Sequence, residues 1–146
     1  MTEQLLHLCA RATPFPAGAE KLVAACAQVT DWNALLHAAD AQGIAPLMHW
    51  HLKDVPGLCP DQFRRGVRLL FLRHQHVNDL YLKILGAAVD LFCRAGIEVL
   101  VLKGAALCRT IYPEIGLRPM RDIDLLVRPE QAQQAQKILL DQGFAA

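Results

Sequence analysis

The sequence has no long hydrophobic run and no marked excess of charge. No apolar stretch approaches the roughly 20 residues that a membrane-spanning helix needs, and the 146 residues carry a net charge of only +1. The N-terminus contains Glu3 and His7 and has no positively charged segment ahead of an apolar one, so it does not resemble a signal peptide. We therefore expect a cytoplasmic protein with no membrane partner, and the charge gives no indication of a polynucleotide substrate.

The sequence also lacks paired cysteines. Its five cysteines have no regular spacing, and their odd number leaves at least one outside any internal disulfide. We interpret them as reduced, mostly buried side chains and not as a zinc site. Two His-X-His sequences, at residues 49–51 and 74–76, lie in predicted helices, where residues two positions apart point in different directions. Surface or capping positions explain these histidines better than a metal site does.

No internal repeat, low-complexity tract or glycine- and serine-rich linker divides the chain, but its pattern changes near Gly96. After Gly96 the pattern alternates between strand and helix, with two of each. Before Gly96, apolar residues recur at intervals of three and four and predict helices at about 18–29, 31–42, 44–52 and 60–95.

The expected fold is α+β, with a helical region at residues 1–95 packed against a small mixed sheet at residues 96–146. In the longest helix we interpret an apolar stripe as core, with docking of a partner or of further chain as the alternative. A sheet of only two strands is marginal by itself. We therefore expect more chain or a second copy, with dimerisation or strand exchange at the open edge. The stripe consists of Val67, Leu70, Phe71, His74, Val77, Leu80, Tyr81, Ile84 and Leu85.

Two carboxylates stand at the head of the second predicted strand. Asp122 and Asp124 precede the apolar residues 125–127, and the strand period of two sends both to the same face. Carboxylates that lie so close repel each other unless a cation or a proton lies between them. Oxygen ligands of this kind suit Mg2+, which binds one or two carboxylates together with substrate phosphates. Taken alone, an Asp-X-Asp sequence is equally explained by two solvated acids at a strand end.

A lysine-glycine turn lies between the two predicted strands. The first strand, Ile97–Leu102, is followed directly by Lys103 and Gly104, which open a short helix that extends to about Tyr112. Gly104 would let the backbone approach a ligand and adopt dihedral angles that a Cβ atom forbids. The helix presents unpaired N–H groups and its positive dipole end to an anion. With the acids, this turn predicts a phosphate site beside a metal site; an ordinary tight turn with a solvated lysine is the alternative.

The chain resembles a known family through three motifs. Leu102–Leu107 (LKGAAL), the pair Tyr112-Pro113 and the run Gly116–Val127 (GLRPMRDIDLLV) are similar to the nucleotidyltransferase family of the DNA polymerase β-like superfamily. A less specific similarity extends to residues 31–36 and 43–47. The resemblance implies transfer of a nucleoside monophosphate from a nucleoside triphosphate (NTP) to a hydroxyl or phosphate acceptor, with loss of pyrophosphate.

The resemblance also implies roles for individual residues. Asp122 and Asp124 match the catalytic, metal-binding carboxylates, and Mg2+, or Mn2+ in its place, is the implied cofactor. Lys103-Gly104 matches a turn that is Gly-Ser or Gly-Gly elsewhere in the superfamily. Arginines flanking the acids could hold triphosphate oxygens in a bidentate manner, with charge balance for the acids as the alternative. The predicted nucleotide-binding set is Lys103, Gly104, Ala105, Arg118 and Arg121.

The sequence departs from the superfamily pattern in one respect. Superfamily sites usually take a third carboxylate from a later strand, and this sequence ends before such a strand. Glu98 and Glu114 could approach the acids, but neither occupies the family's third position. We expect the chain to be an N-terminal portion of a longer protein, or one that has lost the remainder, which leaves open whether it acts alone as an enzyme.

Three functions are compatible with the sequence. The first is a metal-dependent nucleotidyltransferase, and the second is a truncated or degenerate relative that binds a nucleotide or a partner without turnover. The third is a helical interaction protein whose acids are surface charges, which would show no metal-dependent nucleotide binding. The motifs do not specify the base of the nucleotide or the acceptor, which could be a protein, a small molecule or RNA.

Overall fold

The structure is a computed structural model that describes residues 2–13, 19–55 and 57–144. Within these residues it contains seven α-helices, two β-strands and two short 3-10 helices. Their order along the chain is α1 (Thr2–Cys9), α2 (Ala19–Ala27), α3 (Trp32–Ala41), α4 (Ala45–Leu52), α5 (Asp61–Arg94), β1 (Val99–Val101), α6 (Lys103–Thr110), a 3-10 helix (Ile115–Leu117), β2 (Leu125–Val127), a second 3-10 helix (Pro129–Gln131) and α7 (Ala132–Asp141).

The fold is α+β, as the sequence predicts. In the described residues the sheet consists of β1 and β2, which pair antiparallel with Leu100 opposite Leu126. One face of this pair packs against α5 and α7 around the buried side chains of Phe92 and Ala135. On the other face Leu100 and Leu126 are exposed. Both strands are shorter than predicted, so the two acids lie ahead of β2 and not within it.

The long helix α5 connects the helical region to the sheet. Its 34 residues correspond to a length of about 50 Å. The first turns pack against α3 and α4 around Phe63 and Val67, and the last turns pack against α7 through Phe92. Gly96, at φ +69°, then lets the chain reverse into β1. No helix within the described residues, α5 included, combines the length and the apolar character needed to cross a membrane.

The N-terminal helix α1 is not predicted by the sequence pattern. It belongs to the same core as α2 to α4, because Leu5 and Cys9 are fully buried there.

Asp31 caps α3, and its Oδ1 accepts hydrogen bonds of 2.9 Å from the backbone N–H groups of Asn33 and Ala34. Four of the five cysteines are buried and all are free thiols, in agreement with their interpretation as small core side chains.

The buried stripe of α5 differs from the prediction at two positions. The apolar pattern places Leu80 in the core, but 54% of its surface is exposed. Asn78, which the apolar pattern passes over, is fully buried instead. Phe71 and Asn78 are seven residues apart and therefore lie on one side of the helix. The prediction for Leu80 is wrong because the face of α5 that contacts residues 115–118 is centred on Asn78. Leu80, two residues later, points in a different direction.

Three of the four histidines in the two His-X-His sequences are half-buried and the fourth, His76, is exposed, whereas the sequence predicts surface or capping positions for all four. His49 and His51 lie on α4, and His74 lies on α5. Burial lowers the pKa of all three imidazoles, and neighbouring arginine or lysine side chains lower it further. The Nε2 atom of His51 is also 3.1 Å from the carbonyl oxygen of Arg11. These side chains thus belong to the packing of the helical region.

Candidate functional site

An open cleft contains most of the predicted site residues. It has a volume of about 340 Å3 and lies where the turn after α3 meets the start of α6 and the segment before β2. Ala105 is the predicted residue that does not line it, because its side chain is buried beside Cys108 and Met120. The cleft is lined by Ala41, Gln42, Gly43, Lys103, Gly104, residues 118–122 and Asp124.

The two acids reach the cleft from the segment that leads into β2. The antiparallel pairing continues one residue beyond the strands, since the backbone N–H of Leu102 donates a 3.0 Å hydrogen bond to the carbonyl oxygen of Asp124. This bond fixes Asp124 beside the start of α6. Asp122, two residues earlier, is exposed and also lines the cleft. The two carboxylates, two residues apart, thus line the same cavity, as expected for alternate residues of an extended chain.

Lys103 forms an ion pair with one of these acids. Its Nζ atom lies 3.2 Å from Oδ1 of Asp124. The lysine side chain is 71% exposed, whereas the aspartate side chain is 31% exposed. Asp122 makes no ion pair in the part of the chain that the structure describes. Of the two cleft carboxylates, Asp124 is thus paired with a lysine of the described chain and Asp122 is not.

The unusual backbone conformation of the turn lies one residue earlier than predicted. Among the described non-glycine residues, positive φ is found at Lys103, where φ is +45°. Gly104 is not among the glycines with positive φ. A left-handed conformation costs a non-glycine residue about 1 kcal/mol or more. A Cβ atom at Gly104 would lie 3.3 Å from Cγ of Met120, a tight contact that the methionine side chain would have to relieve by moving a few tenths of an ångström. Close packing, and not dihedral freedom, is therefore the constraint at this glycine.

The start of α6 is available to an anion. The first N–H groups of a helix have no intrahelical partner, and Leu102, which precedes α6, provides no side-chain cap for them. Lys103 and Gly104 begin the helix and line the cleft. Although the side chain of Ala105 is buried, its backbone belongs to this first turn. The helix dipole adds a partial positive charge at the same place.

The arginines are carried by a segment that α5 holds in place. The amide nitrogen of Asn78 donates hydrogen bonds to the carbonyl oxygens of Ile115, at 2.5 Å, and Arg118, at 2.7 Å. The hydroxyl of Tyr81, one helical turn later, donates a 3.0 Å bond to the carbonyl oxygen of Arg121. Nε of Arg118 is buried and has no hydrogen-bond partner among the described residues. The segment is therefore anchored at three carbonyl groups, while its arginines face the cleft.

Asn78 and Tyr81 are functional candidates that the sequence reading did not identify. The apolar pattern places Tyr81 in the stripe and indicates no role for Asn78. The available signal was an amide side chain at a core position of an amphipathic helix, seven residues from both Phe71 and Leu85. A buried amide needs partners, so its presence indicates that a loop backbone packs against the helix there. The sequence could not identify which loop that is.

The helical region supplies the remaining wall of the cleft. Gln42 and Gly43 form the turn between α3 and α4, with the N–H of Gly43 donating to the carbonyl oxygen of Asp40. Gly43 has φ +69°, and a Cβ atom at this position would touch Pro119 at 3.6 Å. The positive φ favours glycine over other residues. The cleft therefore depends on contact between the helical region and the segment that carries the acids.

The donor set of the cleft fits Mg2+. Asp122 and Asp124 offer hard carboxylate oxygens, and Mg2+ is usually held by one or two carboxylates together with phosphate oxygens and water. The described residues contain no cluster of three acidic, histidine or cysteine side chains that could enclose a metal. Glu98 pairs with Arg128, and Glu114 lies 3.7 Å from a lysine, so neither lines the cleft. These residues suit a metal that arrives with phosphate ligands.

Comparison with known proteins places the chain in a nucleotidyltransferase family. A family model described as an uncharacterised nucleotidyltransferase matches residues 28–146, which is most of the chain. Neither the curated proteins nor the solved structures provide a match. The matched region includes the turn after α3, the Lys103-Gly104 turn and both acids. The chain therefore belongs to this family of uncharacterised nucleotidyltransferases.

Proposed function

We propose that the cleft binds an NTP together with Mg2+, or Mn2+ in its place, and transfers the nucleoside monophosphate to an acceptor hydroxyl or phosphate. The observation that carries this proposal is the composition of the cleft. Two carboxylates and three cationic side chains line one cavity of about 340 Å3. Carboxylates alone would repel a triphosphate, and cations alone would not hold a metal. A metal–triphosphate complex is complementary to both.

Each group of side chains has a separate task in this proposal. Asp122 and Asp124 would hold the metal, which when bound neutralises charge on the reacting phosphates. Arg118 and Arg121 would bind phosphate oxygens, and a guanidinium can do so with two parallel hydrogen bonds. The unpaired Nε of Arg118 is a donor that a phosphate oxygen could satisfy. The N–H groups at the start of α6 would contribute further donors.

The reaction itself is a substitution at the α-phosphorus. An acceptor oxygen forms a bond to the α-phosphorus, and the bond between this phosphorus and the oxygen that bridges to the β-phosphorus breaks. Pyrophosphate leaves with the electron pair of the broken bond, and the proton of a hydroxyl acceptor is released to solvent. The cationic side chains at the cleft would stabilise the negative charge that accumulates on the leaving pyrophosphate. Gln42 and Gly43, contributed by the helical region, would limit the side from which an acceptor can approach.

A label-transfer experiment tests the proposal. The chain is incubated with Mg2+ and an NTP labelled at the α- or at the γ-phosphorus, and with protein, RNA or small-molecule fractions as acceptor. We expect the α-label to enter the product and the γ-label to appear as pyrophosphate. Asp122→Asn/Asp124→Asn should abolish transfer, whereas Asp90→Asn/Asp141→Asn, which removes two exposed acids outside the cleft, should not. Incorporation of the γ-label would contradict the proposal.

A further inference from the structure

The ion pair in the cleft joins a proposed metal ligand to a proposed phosphate ligand. Nζ of Lys103 lies 3.2 Å from Oδ1 of Asp124. A divalent cation that binds Asp124 would have to displace the ammonium group or lie beside it, and like charges repel. A triphosphate that binds Lys103 would have to draw it away from the carboxylate. While the pair is intact, Oδ1 of Asp124 and the ammonium group of Lys103 are engaged with each other and are less available to a metal ion and to a triphosphate.

We propose that Lys103 is an internal counter-cation of Asp124, so that metal and triphosphate bind cooperatively by exchanging partners with this pair. Without a nucleotide, the ammonium group occupies the carboxylate and weakens the binding of a free metal ion. When a metal–triphosphate complex binds, Lys103 would leave Asp124 and donate to the phosphates, and Asp124 would be available to hold the metal. The inference rests on the proposed function, because it assigns an order of contacts to the same cleft.

The geometry allows such an exchange. The lysine side chain is 71% exposed, and exposed ion pairs contribute little net stability, so this pair can be broken at low cost. The backbone of Lys103, by contrast, is fixed between the Leu102–Asp124 hydrogen bond and the first turn of α6. Its positive φ is a strained conformation that the surrounding fold maintains. A fixed backbone with a mobile charged end keeps the ammonium within reach of both partners.

The alternative is a static pair in which Lys103 only orients the carboxylate. The two accounts predict opposite signs for one measurement. If Lys103 orients Asp124, its removal will leave the affinity for a free metal ion unchanged or lower it. If Lys103 competes for Asp124, its removal will raise that affinity. Because the effect is read from metal binding alone, it does not depend on turnover.

The test compares Lys103→Met with the native chain by titration with Mn2+ alone and with the Mn2+–tripolyphosphate complex, which carries the phosphate charge without a base. We expect the variant to bind Mn2+ alone about two- to fivefold more tightly, consistent with loss of an exposed competing charge. Its affinity for the complex should fall about tenfold or more, because a hydrogen bond to a charged group is lost. The measured readouts are electron paramagnetic resonance of free Mn2+ and calorimetry.

The chain offers two controls. Lys83→Met removes a lysine of similar exposure from a surface pair with Asp79 on α5, outside the cleft, and should change neither affinity. Lys103→Arg keeps the charge and should bind Mn2+ alone as the native chain does. Equal or weaker binding of Mn2+ by Lys103→Met overturns the inference, as does undetectable binding by that variant. If Asp122→Asn/Asp124→Asn binds both ligands as the native chain does, the proposed function fails as well.

Discussion

Replacing Asn78 tests how the segment that carries the arginines is held. Asn78 is fully buried, and its amide nitrogen donates to the carbonyl oxygens of Ile115 and Arg118. Asn78→Asp keeps the size of the side chain but replaces the donor with a second oxygen. An ionised carboxylate would then face two carbonyl oxygens without a counter-charge. We expect the carboxyl group to remain protonated in the folded state, where it can donate one hydrogen bond.

The magnitude follows from two contributions. Keeping a carboxyl group protonated at pH 7, when its ordinary pKa is about 4, costs about 4 kcal/mol of unfolding free energy. Loss of one donor leaves a buried carbonyl unpaired, which costs about 1–3 kcal/mol. The carbonyl oxygen of Ile115 keeps a hydrogen bond of 3.3 Å from the Cys108 thiol. If the protonated carboxyl group of the variant donates to Arg118, the cost of the lost donor therefore lies at the lower end of this range. We expect Asn78→Asp to be destabilised by about 5 kcal/mol at pH 7.

Urea denaturation at two pH values provides the assay. Because burial raises the pKa of the introduced carboxyl group, the deficit relative to the native chain is present at neutral pH and shrinks as the pH falls toward about 4. Asn78→Leu is similar in size but not ionisable, and its free energy of unfolding should be lower by about 1–3 kcal/mol at every pH. The loss of the amide donor is partly offset, because the variant also removes the unpaired Oδ1 atom. A deficit in Asn78→Asp that is below 1 kcal/mol, or that does not change with pH, would refute the reasoning.

Three further predictions concern the turn, the loop and the histidines. Lys103→Gly should be more stable than Lys103→Ala by about 0.5–1 kcal/mol in urea denaturation, because φ +45° penalises a Cβ atom more than glycine's entropy does; the usual helical order, with alanine more stable, would contradict this. Gly116→Ala should lose about 1–3 kcal/mol in thermal unfolding, because its Cβ atom would lie 2.8 Å from a ring carbon and 3.0 Å from the carbonyl oxygen of Phe71; an unchanged melting temperature would show that the loop can move away. The pKa values of His49 and His74 are lowered in the fold, so the unfolded state binds protons more readily than the folded state as the pH falls. The free energy of unfolding should therefore be highest above the ordinary pKa of 6.5 and decrease as the pH falls below it. The double variant His49→Gln/His74→Gln should flatten this decrease, and an identical pH profile would exclude these histidines as its cause.

Local features of the fold and site could be predicted from the sequence. The strand before Lys103, the helix that Lys103 and Gly104 open and the acids ahead of β2 are neighbours in the chain, and their order follows from apolar periodicity and turn chemistry. The pairing of these elements then brings Lys103 to Asp124, because the two strands are antiparallel and in register up to that point. The relation between the turn and the acids is thus mostly local.

Contacts between distant parts of the chain could not be predicted in this way. Asn78 and Tyr81 hold a segment about 40 residues away, and nothing in the pattern of α5 identifies that segment. Gly43 resembles an ordinary helix-ending glycine, yet it lies against Pro119 in the wall of the cleft. The left-handed conformation of Lys103 is equally hidden, because lysine has no preference for it and the surrounding contacts impose it. Tertiary packing decides all of these features.

The most direct test of the central claim is calorimetric titration of the purified chain with ATP, GTP, CTP and UTP, with and without Mg2+. The account predicts binding of at least one NTP that requires Mg2+. This binding should be lost in Asp122→Asn/Asp124→Asn and retained in Asp90→Asn/Asp141→Asn. Binding that does not depend on Mg2+, or that survives removal of both cleft acids, would contradict the assignment of this cleft as the nucleotide site.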